Sequence, residues 1–225
     1  MNKKIFILSI IGTLVTILIV LFVRKLYLID KIMKNVAKNN EITNYRISWA
    51  DEDFLKTFET DGNLTTYESI SKYTDDRSIY CIDNANHTSY RFNLATYTYE
   101  DIYGIIHTYG NQLTKGIYEE MSFKDKLVAV FTWKVDTETV DDIKCYHICK
   151  DISKVSNGEE YEFWISKDNY LKIRATKKED NILGNQRQTV FYNYSELNGV
   201  TRENINWPDV SGYTKLENKP IEEIE

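Results

Sequence analysis

"IKCYHICKD", residues 143–151, decides the fold, because helix and strand readings of it lead to different proteins. On a helix, Cys145 and Cys149 would lie one turn apart on the same face. On a strand they share a face with His147, but their Cα atoms are about 13 Å apart. A disulfide needs Cα atoms within about 7 Å, so these two cysteines could not bridge each other. A single zinc ion would reach all three side chains only with poor geometry. Tyr146, Ile148 and the neighbouring residues favour the strand. The expectation is therefore a strand, with the thiols packed as small hydrophobes. Cys81 is the third cysteine. A bridge from Cys81 to Cys145 or Cys149 stays open, and would suit an oxidising exterior.

The alternation continues on both sides. Downstream come "EEYEFWIS" (159–166), "YLKIRATK" (170–177) and "QTVFYNYSEL" (188–197). Immediately upstream, "LVAVFTWKVD" (127–136) reads as another strand. Nearer the N-terminus, "NYRISW" (44–49), "DFLKTFET" (53–60), "LTTYESISKY" (64–73), "RSIYCID" (77–83) and "TSYRFN" (88–93) have period two. Short polar connections such as "DGN" (61–63) and "TDD" (74–76) suit hairpins. The alternation lapses over residues 94–126, where short helices broken at Gly104, Gly110 and Gly116 are expected. The sum is nine or ten antiparallel strands with helices on one face, an α+β domain whose sheet should curl.

The first 25 residues differ from the rest. Ile5 to Val23 carries no charge, and as a helix would span about 28 Å, close to the hydrocarbon thickness of a bilayer. No small-residue cleavage pattern follows it, so residues 1–25 read as an uncleaved anchor rather than a removed signal. Residues 24–40 continue as a helix with a broad apolar face, including Leu28, Ile32 and Val36. Arg24, Lys25, Lys31, Lys34 and Lys38 outnumber Lys3 and Lys4, a bias that favours a cytoplasmic C-terminal part. The net charge of −6 offers no basic field for nucleic acid. No complete catalytic, cofactor or metal motif is present, and the paired carboxylates sit in turns. The expectation is a binding protein, not an enzyme.

"IKCYHICKD", "EYEFWISKDNYLKIRAT" and "TVFYNYSELNGVTRENINWPDVSGY", in that order, resemble the LolA-like superfamily of lipoprotein carriers and RseB-type regulators. The resemblance covers roughly residues 26–215 and leaves 216–225 as a disordered tail. It implies a half-barrel whose concave face is covered by helices, with an apolar cavity able to take acyl chains. It also implies a place outside the cytoplasmic membrane, against the charge bias. The carriers' cavity-closing arginine has no unique match; Arg46, Arg77, Arg91 and Arg174 are all open.

Aromatic residues recur along the strands. Phe131, Trp133, Tyr146, Phe163, Trp164 and Tyr192 are the expected lining of a hydrophobic-ligand site, with sheet core as the plainer alternative. The expected partners are a membrane and a lipid or lipoprotein acyl chain. A domain that recognises a partner protein is the alternative.

Overall fold

A computed structural model describes residues 3–102, 112–114, 117, 121–151, 160–181 and 184–216. The chain opens with α1, Lys3–Lys38, an uninterrupted 36-residue helix. Its two halves have different surroundings. From Leu8 to Val23 its apolar side chains stand exposed except half-buried Phe22, with Leu18 at 65%. The helix is long and apolar enough to cross a membrane. One turn later the exposure ends. Ile29, Ile32, Met33 and Val36, spaced to share one helical face, are between 0% and 4% exposed.

The strands are β1 (Tyr45–Ala50), β2 (Phe54–Thr60), β3 (Leu64–Ser71), β4 (Arg77–Asp83), β5 (Thr88–Asn93) and β6 (Thr98–Asp101). After α2 (Phe123–Thr132) come β7 (Trp133–Val140), β8 (Ile143–Asp151), β9 (Glu160–Ser166), β10 (Lys172–Asn181), β11 (Gly184–Leu197) and β12 (Thr214–Lys215). All join one sheet in the order β12-β6-β5-β4-β3-β2-β1-β11-β10-β9-β8-β7. It is large, open and curled, and does not close into a barrel. Two meanders meet where β1 pairs with β11, Ile47 opposite Tyr194 and Trp49 opposite Tyr192. Among the described residues, only the short β12 runs parallel to its neighbour, β6.

Turn chemistry sets the hairpins. Asp141 and Asp142 both have positive φ, as the two-residue turn between β7 and β8 requires. Gly62 takes φ +96° in the "DGN" turn, a region that side chains rarely adopt.

The architecture corrects two readings. "LVAVF" is helical, and the strand begins only at Trp133. A short apolar run does not separate helix from strand, and the deciding signal lies upstream. Ser122 caps α2: its Oγ accepts from the Asp125 N–H at 3.2 Å, and the Asp125 carboxylate accepts from the Ser122 N–H at 2.9 Å. β6 occupies a stretch expected to lack strand. The glycines Gly104, Gly110 and Gly116, like the tail beyond Leu216, lie outside the described residues.

Each face of the curl has its own cover. α1 and α2 pack on the inner face, where Ile29, Ile32, Met33, Val36, Ala129 and Val130 meet Trp133, Ile148, Phe163 and Ile165. Burying each large aliphatic or aromatic side chain contributes about 1.5–3 kcal/mol. The outer face over β3–β5 is covered by the C-terminal segment. Val200 and Ile205 pack on Leu64, and Trp207 and Tyr213 on Ile79, Cys81 and Phe92.

Candidate functional site

The alternation of each strand sorts the expected lining residues into two groups. Trp133, Tyr146, Phe163 and Tyr192 lie on the inner, helix-covered face. Trp164 points the other way, into an outer cluster with Val140 and Cys145. There it is one rung of a cross-strand ladder. His147 stacks on it with centroids 4.3 Å apart and planes at 8°. The Arg174 guanidinium lies 4.2 Å from its ring centroid. Its Nε1 donates to Glu138 at 2.6 Å. Phe131 is not on the sheet at all. It sits on α2, 78% exposed, with its ring 5.6 Å from that of Phe22.

Cys81, Cys145 and Cys149 are all thiols, so the bridge from Cys81 to Cys145 or Cys149 is not formed. The sheet order explains this. Six strands separate β4 from β8, and Cys81 packs beneath Trp207 and Tyr213 whereas Cys145 packs against Trp164. Burial pushes the Cys81 thiol well above its ordinary pKa, which removes it as a nucleophile.

The inner face carries a half-buried aromatic strip that crosses the seam between the two meanders. Tyr192 on β11 meets Trp49 on β1 at 6.2 Å, Trp49 meets Tyr67 on β3 at 6.0 Å, and Tyr67 meets Tyr80 on β4 at 6.0 Å. Beyond Tyr80 the strip opens into a recess of about 460 Å³ bordered by Phe54, Tyr67, Tyr80, Arg91 and Asn93. That volume lies within the range of small-molecule sites. Arg91 reaches over Tyr80 at 5.6 Å and pairs with Glu100 at 3.5 Å. Arg77 also borders the recess, whereas Arg46 binds Glu59 and Glu196.

Two buried lysines lie against inner-face rings, Lys172 at the strip and Lys150 three strands away on β8. Lys172 is 3% exposed, with Nζ 4.2 Å from the Tyr192 ring centroid. Lys150 is 6% exposed, 4.5 Å from Trp133 and 5.4 Å from Phe163, and donates to the Ile117 carbonyl at 3.3 Å. Aromatic faces offset part of the cost of burying an ammonium. Burial raises Tyr192 to about 12, so its phenol stays neutral at physiological pH. The strip is thus an aromatic ring surface with Lys172 against Tyr192 and the Lys56–Asp51 ion pair beside Trp49, suited to an amphipathic ligand. Trp49, Tyr67 and Tyr80 are the members outside the expected lining. The β3 strand of Tyr67 carries Glu68 and Ser69 and so reads as wet.

Tyr45 sits under the strip, and its Oη accepts from the Gln112 N–H at 2.9 Å. Burial raises its pKa from 10.0 to about 12. A raised folded-state pKa means that the folded state holds the proton longer. The stabilisation is complete below pH 10 and is lost as pH climbs through 12. Tyr45 should contribute on the order of 2–3 kcal/mol to the fall in stability over this window, beside the share of buried Tyr192 and Tyr194, and Tyr45→Phe should make the slope shallower by that amount. Denaturant midpoints of wild type and Tyr45→Phe measured from pH 9 to pH 12 check this; a variant that loses as much stability as the wild type over the range would count against it.

Fold and site define a class: an open, curled antiparallel sheet carrying an aromatic strip, borne on one long apolar helix. No family model matches the chain, and no curated protein matches it in sequence. Solved structures resemble it loosely. An uncharacterized conserved protein from Thermus thermophilus is 10% identical with a TM-score of 0.48, over 83% of this chain and 97% of that one. A DUF1329 family protein from Desulfovibrio piger is 12% identical with a TM-score of 0.30, over 77% of this chain and 95% of that one. PNGF-II is 10% identical with a TM-score of 0.31, over 77% of this chain and 31% of that one. Likenesses at this level carry no argument about activity.

Proposed function

We propose that this chain is a membrane-anchored, LolA-like, extracytoplasmic binding protein for a hydrophobic ligand, a lipid or a lipoprotein acyl chain. It breaks no bond. One observation carries the reading. The exposed apolar half of α1 continues without a break into the half that packs on the inner face. The aromatic strip lies on the same inner face of the sheet that the upper half of α1 packs against. A lipid reaching that face would exchange acyl-chain contacts for ring contacts. Anchoring excludes long-range ferrying of cargo, so an acceptor or sensor of nearby lipid fits better than a shuttle.

The test uses the full chain in membranes containing a photoactivatable phospholipid, with adducts mapped by peptide mass spectrometry. Adducts on β1, β3 and β11 around Trp49, Tyr67 and Tyr192 are expected. The Trp49→Ala/Tyr192→Ala variant should lose about tenfold of that yield, because two aromatic contacts are worth at least about 1.4 kcal/mol together. Adducts confined to residues 5–23 would sink lipid binding and favour recognition of a partner protein.

A further inference from the structure

We infer that α2 is a second membrane contact, with Phe131 and Val128 inserted into the lipid surface beside α1. The inference rests on α1 being a membrane anchor, and goes beyond it. Two contacts fix how α2 runs. At one end Lys126 Nζ pairs with Asp30 at 2.5 Å; at the other Phe131 meets Phe22 at 5.6 Å. Going from Asp30 back to Phe22 on α1 therefore means going forward from Lys126 to Phe131 on α2. The two helices run antiparallel, and the C-terminal end of α2 points at the bilayer. Phe22 belongs to the uncharged run Ile5–Val23. Phe131 is thus at the depth of the last apolar turn of the span, before Arg24.

The exposed face of α2 matches that position. Lys124, Val128 and Phe131 are spaced four and three residues apart and so share one face. All three are exposed, Val128 at 52% and Phe131 at 78%. The apolar pair is at the membrane end and the lysine about 10 Å higher, the order that an interfacial helix needs. Exposed Tyr27, on α1 just above Arg24, adds an aromatic at the same boundary. The surface is continuous with the exposed apolar side chains of the span, so its occupant is lipid.

The test places a photoreactive benzophenone amino acid singly at Leu14, Phe131 or Tyr73 in the full chain. The protein is held in nanodiscs of phosphatidylcholine and phosphatidylglycerol. Tyr73 is exposed on the sheet domain and serves as the water-facing reference. Lipid adducts at position 131 should exceed those at 73 roughly tenfold and approach those at 14. Adducts at 14 with none above background at 131 would overturn the second contact and leave the anchor standing. Absence at both would overturn the anchor as well. Protein–protein adducts at 131 in place of lipid would assign the face to a second copy and overturn the inference.

Discussion

A chain that starts at Arg24 should fold into a cooperatively melting domain, whereas one that starts at Asn40 should not fold. The first truncation removes the exposed apolar half of α1 and, of the contacts on the domain, the half-buried Phe22 at the edge of the inner-face cluster. The second also removes Ile29, Ile32, Met33 and Val36, which cover Ile148, Phe163 and Ile165 on the inner face. Four such side chains contribute on the order of 10 kcal/mol, comparable with the whole stability of a typical domain. It also removes Asp30, the partner of Lys126, and Asn39, whose side chain donates to the carbonyls of Asn169 and Tyr170 at 3.2 and 3.0 Å. A point change makes the same case. Ile32→Asp puts a charge at a site with 0% exposure and should unfold the sheet domain in the full chain. Circular dichroism melts of both truncations decide the matter. A chain from Asn40 that melts at the same temperature as one from Arg24 would show that α1 is only an anchor.

Trp164→Ala should cost about 3–5 kcal/mol of stability while leaving lipid photolabelling of the strip unchanged. Trp164 is 3% exposed and touches its neighbours on every side: the His147 ring, the Arg174 guanidinium and the Glu138 carboxylate. Truncation opens a cavity and strips the hydrogen-bond donor from Glu138. None of these groups belongs to the inner face. Trp49→Ala should show the opposite pattern, with a small loss of stability and a large loss of labelling, since Trp49 is only half-buried. Urea denaturation together with adduct yield separates the two. Reduced labelling in Trp164→Ala at a concentration where the protein stays folded would return Trp164 to the ligand site.

The pair Phe163 and Trp164 shows what the sequence can tell about this site. Strand alternation places adjacent residues on opposite faces, and both were expected within the ligand site. Which face meets the helices is a tertiary fact, decided by where α1 docks, and no period in β9 encodes it. The β8 strand itself was legible, because "IKCYHICKD" alternates and its partner strands alternate in step. The bridge left open beside packed thiols is absent for a related reason. Pairing Cys81 with β8 needs those strands to be neighbours, and strand order depends on β11 returning to β1. The misreading of "LVAVF" was of another kind, since the capping box at Ser122 was visible in the sequence. Phe131 was lost from the sheet by that error, and it reappears at the foot of α2.

The absence of any break in α1 between Val23 and Lys38 has a mechanical meaning. With its lower half in a bilayer, α1 is a lever whose load is the sheet. Its upper part, from Arg24 to Lys38, is about 22 Å long, so each 10° of tilt swings the far end by about 4 Å. Bilayer thickness sets the tilt of a spanning helix. A thicker or thinner membrane would therefore swing the whole sheet relative to the lipid surface.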